Sequence, residues 1–178
     1  MPSMSSDGST LLMIDFQAKL MRAIDDAATA IGNAGRLLGA AQMLGVPVLF
    51  TEQNVNGLGA TVPELSSRAN GPVAHKMTFD ACRAAGFADM LADRPEVIVA
   101  GCEAHVCVLQ TALGLLDAGR RVYVVRDAIG SRRAESKEAA IRRMERHGAD
   151  IVTTEMVVFE WLETAEHPRF REAAALIR

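Results

Sequence analysis

A chain of 178 residues with 49% hydrophobic and 23% charged content is long enough for one substantial core and too apolar to be disordered. Its net charge of −3 and pI near 5.8 give no broad basic field, which excludes a protein that tracks nucleic-acid phosphates. No apolar run reaches membrane-spanning length, and the polar start Met1 to Ser9 lacks the basic and apolar regions of a signal peptide. The expectation is a cytoplasmic protein, one domain over 1–178, with a short flexible start over 1–9.

Thr10 to Gln17 opens with an apolar run that meets a carboxylate at Asp15, as a first central strand ends at a sheet edge. Asp15 is equally well read as a helix N-cap. Asp26 to Leu44 is rich in Ala and Leu and predicts a helix, which Gly45 ends before a second strand over Val46 to Phe50. Thr51, Glu52, Gln53 and Asn54 follow at that strand's C-terminal end. Val55 to Asn70 reads as an irregular crossing with one short helical turn near Glu64. Its Gly57-Leu58-Gly59 lacks the third glycine of a dinucleotide fingerprint.

Gly71 to Met77 fits a short strand in which Val73, His75 and Met77 alternate with Ala74 and Lys76. By itself Lys76 reads as a surface lysine. Asp80 to Leu91 predicts a helix. Val97 to Ala100 is apolar without alternation, the pattern of a strand covered on both faces, and Gly101 is expected to stop it. From Val106 the apolar residues fall at Val108, Leu109, Ala112, Leu113, Leu115 and Leu116, a helical spacing closed by Gly119. Arg121 to Ala128 is a further strand, followed by Ser131 as helix N-cap, a charged helix to Gly148, a strand over Ala149 to Thr153, a helix from Met156 to Thr164 and another past Pro168. The basic residues Arg132, Arg133, Lys137, Arg142, Arg143 and Arg146 are interleaved with Glu135, Glu138 and Glu145, which reads as a solvated helix face. Strands alternating with helices predict a three-layer α/β/α, Rossmann-like fold with a mainly parallel sheet of about six strands.

Ligands in such folds bind beyond the C-terminal ends of the strands, where strand order reverses. Asp15, Gln53, Asn54 and the turn from Cys102 to Cys107 all fall at predicted strand ends, so an acid, an amine and a thiol from separate strands could converge. A thiol in the first turn of a helix gains from unpaired N–H groups and the helix dipole, which favour thiolate. It is also read as a small buried hydrophobe. Cys82, Cys102 and Cys107 are odd in number and share no zinc or CxxC spacing, so reduced thiols are expected rather than a disulfide framework or a metal knot.

These segments resemble the isochorismatase-like cysteine hydrolases over nearly the whole chain. The resemblance rests on Leu12-Met13-Ile14-Asp15-Phe16-Gln17, His75-Lys76, Gly101 to Ala112 and Val124 to Ala128. Thr51 to Asn54, Glu103 to Cys107 and Phe159 to Leu162 look most like the subgroup that contains the bacterial hydrolase YcaC and the eukaryotic isochorismatase-domain proteins. The resemblance implies a catalytic triad of Asp15 as base, Lys76 as charge-holding partner and Cys107 as nucleophile. It also implies an oxyanion hole from the amides of Glu103 and Cys107, and a non-proline cis peptide at Cys102-Glu103.

Isochorismatases that cleave a vinyl ether lack the cysteine, so Cys107 implies a small amide, carbamoyl or ureido substrate. Nicotinamidases of the family carry an Asp and two His for a metal between the catalytic Asp and Lys. The only histidine in that interval here is His75, so no metal and no cofactor are expected. Gln53, Asn54 and His105 are the candidate substrate contacts, with packing as the other reading of His105. The expected partners are a small molecule and further copies of the chain, with no nucleic acid and no membrane. The competing reading is an oligomeric protein that keeps the hydrolase fold but is non-catalytic or redox-responsive.

Overall fold

The computed structural model describes residues 3–178. In chain order the elements are β1 (Ser9–Ile14), α1 (Ala18–Met21), α2 (Ala27–Leu44), β2 (Val48–Gln53), α3 (Val55–Leu58), α4 (Pro63–Ser66), β3 (Val73–Lys76), α5 (Phe87–Met90), β4 (Glu96–Cys102), α6 (Leu109–Asp117), β5 (Arg121–Gly130), α7 (Ala134–Arg146), β6 (Asp150–Val152), α8 (Thr154–Leu162) and α9 (Phe170–Leu176). The strands form one six-stranded sheet in the order β3-β2-β1-β4-β5-β6, and every neighbouring pair is parallel.

The period of two along each strand divides the core. Leu11 and Met13 of β1, with Ile98 and Ala100 of β4, face α2, α8 and α9 through Leu37, Leu38, Val158, Trp161 and Ala173. Leu12 and Ile14, with Val97 and Val99, face α6 and α7 through Leu109, Ala112, Ile141 and Met144. Both faces are dry, which is why these strands read as unbroken apolar runs. The stripe Met156 to Leu162 is mostly core: Val157, Val158, Trp161 and Leu162 are buried, while Met156 and Phe159 look outward.

Several boundaries differ from the sequence reading for local physical reasons. The helix expected over Asp80 to Leu91 is instead a single 3₁₀ turn (Ala81–Arg83) and the short α5, separated by extended backbone at Ala84 and a left-handed Gly86. Ser131 does not cap α7. Its hydroxyl is turned to His105, and α7 starts three residues later at Ala134 without a side-chain cap. The expected loose start is packed where it is described. Met4 is buried with its N–H on Glu160 Oε2 at 2.7 Å, and Ser5 donates to Glu96 Oε2 at 3.0 Å.

Gly101 does not end β4, which continues to Cys102. The glycine is required by proximity, since a Cβ there would lie 2.2 Å from the Ile14 carbonyl oxygen, and its φ is 146°. Gly101→Ala is therefore expected to lower stability by about 3 kcal/mol, measured by urea unfolding. Its effect should exceed that of Gly119→Ala, where the added methyl would meet open space.

Candidate active site

β1 and β4 lie side by side at the centre of the sheet, and the chain leaves them in opposite directions, β1 toward β2 and β3, β4 toward β5 and β6. That is the topological switch point, and the crevice above its C-terminal edge is where this architecture opens a site. Asp15 follows the last residue of β1 with φ 51°, a left-handed kink that Asp tolerates better than most residues. Lys76 ends β3 and pairs in register with Gln53, which ends β2. Cys107 lies on a π-helical turn (Ala104–Val108) between β4 and α6.

The structure brings these residues together. Lys76 Nζ donates to Asp15 Oδ2 at 2.7 Å, and neither side chain has any access to solvent. Asp15 Oδ1 accepts the Thr51 hydroxyl at 2.6 Å. Asp15 thus accepts from two other elements and caps no helix, because Gln17 occupies the cap position of α1. Lys76 also donates to Gln53 Oε1 at 2.9 Å and to the Thr78 carbonyl at 3.3 Å. The ammonium thus has three acceptors for its three protons. Lys76 is no surface residue: in the alternation of β3 it takes the buried side, and His75 the exposed one.

The Cys107 thiol lies within the electrostatic reach of both Asp15 and Lys76. Its pKa is pushed up to about 12, first by burial and then by the Asp15 charge, with Lys76 pulling the other way. The sequence reading, in which the helix terminus favours thiolate, is corrected here: burial and the neighbouring carboxylate favour the thiol. Cys82 and Cys102 are likewise raised to about 12, each chiefly by burial.

The turn that carries Cys107 is held from two sides. The Cys102-Glu103 peptide is cis. The Glu103 carbonyl accepts from Val106 and Val108, closing the π turn, while the buried Glu103 carboxylate accepts both the backbone N–H and Nε of Arg132 at 3.0 Å. His105 Nδ1 lies 3.0 Å from the buried Ser131 hydroxyl.

Of the residues expected to touch substrate, Gln53 is already committed to the protein. Its side chain bridges Lys76 and the Met77 carbonyl, and its backbone is clamped by Gln17. Asn54 is exposed and lines a cavity of about 440 Å³ together with Glu52, Val55, His75 and Lys76. His105 opens into a separate cavity. Thr51, Gln17 and Arg132 were missed by sequence reasoning. Thr51 and Gln53 share one face of β2 by simple alternation, and that signal was open to use. Arg132 had none, because its partner is 29 residues away. Among the described residues no group of three or more His, Cys, Asp and Glu is arranged to hold a metal ion.

The chain matches known proteins in sequence and in fold. The isochorismatase domain family matches residues 9–156, and the chain belongs to it. Isochorismatase domain-containing protein 2 of Danio rerio is 36% identical over 177 residues, covering 98% of this chain and 89% of that protein. The human protein of the same name is 38% identical over 173 residues, covering 96% and 83%. Among solved structures, the MAR1 ribonuclease of Caenorhabditis elegans superposes with a TM-score of 0.94 at 36% identity, covering 99% of this chain and 92% of that one. YcaC of Escherichia coli, described as an octameric hydrolase of unknown specificity, shares the fold with a TM-score of 0.89 at 24% identity, covering 99% and 88%.

Two outcomes follow from this geometry. Lys76→Met would leave the Asp15 carboxylate buried without its counter-charge and is expected to cost about 3–5 kcal/mol of stability, measured by chemical denaturation. Near neutral pH the Cys107 thiol is protonated in both folded and unfolded chains and contributes no pH dependence. Above its ordinary value of 9.0 the unfolded thiol ionises while the folded one holds its proton toward about 12, so stability falls as pH rises through that window. Cys107→Ser, with no ionising group there, is expected to lose less stability between pH 9 and 11 than the wild type in the same denaturation series.

Proposed function

We propose that this chain is a metal-independent cysteine hydrolase of a small amide, carbamoyl or ureido compound, with Asp15, Lys76 and Cys107 as its catalytic triad. The observation that carries the reading is the Asp15–Lys76 pair, 2.7 Å apart and sealed from water, whose charges bear on the Cys107 thiol. A thiol held up near 12 is a poor nucleophile at neutral pH unless a base takes its proton during attack. Asp15 is the carboxylate whose charge bears on it, and it serves as the base. Lys76 faces the carboxylate as its counter-charge and steadies the charge on sulfur as it develops.

In the proposed cycle Cys107 Sγ attacks the carbonyl carbon while its proton passes to Asp15. The oxyanion forms against the amides of Glu103 and Cys107. Asp15 returns the proton to the leaving nitrogen, the C–N bond breaks, and an amine and a thioester remain. Asp15 then takes a proton from water as its oxygen attacks the thioester, and the acid leaves as sulfur is reprotonated. Asn54, at the cavity beside Lys76, is a substrate contact in this reading. Gln53 acts on Lys76 instead.

Two comparisons bear on this reading. YcaC of Pseudomonas aeruginosa, 25% identical with a TM-score of 0.84 and covering 98% of this chain and 95% of that one, was solved with hexane-2,5-diol and covalent acrylamide. A covalent amide-bearing electrophile in a relative suits a nucleophilic site of this kind. The Caenorhabditis elegans relative carries ribonuclease in its name, but a chain with a net charge of −3 offers RNA no basic track, and a small molecule is the substrate proposed here. The non-catalytic redox reading is disfavoured because oxidation follows thiolate character, and all three thiols are raised to about 12. Self-association is part of the proposal: Met77 is 72% and Phe79 52% exposed beside β3, an apolar pair suited to burial against another copy. No helix among the described residues is long and apolar enough to cross a membrane.

The test is intact-mass spectrometry of the wild type, Cys107→Ala and Asp15→Asn after exposure to a panel of small amides, ureido compounds and a short single-stranded RNA. The expected result is an acyl adduct confined to Cys107, absent in Cys107→Ala and formed at least a hundredfold more slowly in Asp15→Asn. RNA cleavage that survives Cys107→Ala, with no acyl adduct from any amide, would overturn the reading.

A further inference from the structure

The cavity at His105 brings two arginines and a histidine together on its walls. It has a volume of about 390 Å³ and is lined by His105, Arg132, Arg133 and Ser136. Glu52 lines the cavity beside Lys76, and Asp25, Asp26 and Asp127 line the one at the end of β5. No carboxylate lines the cavity at His105. Glu103 and Glu135 are near its arginines but lie outside its walls.

The donors on those walls are only partly used. Arg132 spends Nε on Glu103, and among the described residues its two terminal nitrogens have no protein partner. Arg133 has one loose contact, 3.7 Å to Glu135, with both side chains 78% exposed. His105 uses Nδ1 on Ser131, which fixes the ring and leaves Nε2 without a partner among the described residues. The Ser136 hydroxyl has none either. Two guanidinium forks, an imidazole edge and a hydroxyl around one cavity match a planar or tetrahedral oxyanion, because the guanidinium geometry accepts carboxylate and phosphate oxygens in pairs.

We infer that this cavity is a binding site for an acid group of a small molecule, a carboxylate or a phosphate. The site is built into the nucleophile-bearing turn, since His105 belongs to the π turn of Cys107 and Arg132 is clamped to Glu103. The Glu103 clamp presents Arg132 in a fixed pose, so its free nitrogens are ordered before the ligand arrives. Because the guanidinium groups reach into water, binding is salt-sensitive.

The test is isothermal titration of the full-length wild-type protein with inorganic phosphate and, separately, with succinate, at low and at 0.5 M sodium chloride. Neither ligand requires turnover, so the outcome is independent of the hydrolase reading. Saturable binding of at least one ligand is expected, weakened at least fivefold by Arg133→Gln and by high salt. Arg142→Gln, an exposed arginine of the same helix outside the cavity, is expected to leave it unchanged. Tighter phosphate binding assigns the site to phosphate esters, and tighter succinate binding to carboxylic acids; both support the inference. No saturable binding of either ligand overturns it, as does equal weakening by Arg142→Gln and Arg133→Gln, which would mean diffuse attraction to a basic helix.

Discussion

A carboxylate and an ammonium 2.7 Å apart, both sealed from water, are the constraint on which the rest of this site depends. Removing two ions from water costs several kcal/mol each, and mutual attraction repays that only when every remaining lone pair and proton finds a partner. Here the partners come from the backbone framework. Thr51 on β2 holds the second oxygen of Asp15, while Gln53 and the Thr78 carbonyl take the other protons of Lys76. A hydrophobic pair of similar volume could fill the same space at no loss of stability. The pair is therefore weak evidence of stabilisation, and its place beside Cys107 is what sets it apart.

The topology explains how such a pair can be assembled from distant parts of the chain. Asp15, Gln53 and Lys76 end or follow three adjacent parallel strands, and parallel pairing fixes their ends at one edge of the sheet. Cys107 arrives from the fourth strand in that row, across the switch point. Its turn needs more support than strand pairing gives, and it has two tethers to the segment between β5 and α7: Glu103 to Arg132, and His105 to Ser131. Gly101 allows β4 to approach β1 closely enough for the two halves to meet.

The layers of the fold were legible because burial on both faces leaves a direct mark. Val97 to Ala100 and Leu11 to Ile14 are apolar without alternation, and the two core clusters divide them by parity. The 3₁₀ turn in place of a helix at Ala81 was not legible. An Ala-rich stretch with one glycine reads as helix, and the contacts that decide otherwise come from the Thr111 hydroxyl and the Asp80 carboxylate. Lys76 shows the same limit at the site. Its alternation with His75 was visible, but which side faced the core depended on β2 lying alongside. The Cys107 environment was misjudged because a helix terminus can be read from local sequence, whereas desolvation and the Asp15 field depend on residues 92 positions apart in the chain.

The central claim is that Asp15 is the base for Cys107 and not merely a charge that holds its proton in place. The most direct measurement is the rate of acrylamide addition to each cysteine at neutral pH, resolved by peptide mapping, in the wild type and in Asp15→Asn. A base predicts selective modification of Cys107 over Cys82 and Cys102, and at least a tenfold slower reaction in Asp15→Asn. A faster reaction in Asp15→Asn would contradict it, because removing a purely repulsive charge lowers the thiol's pKa and frees the thiolate.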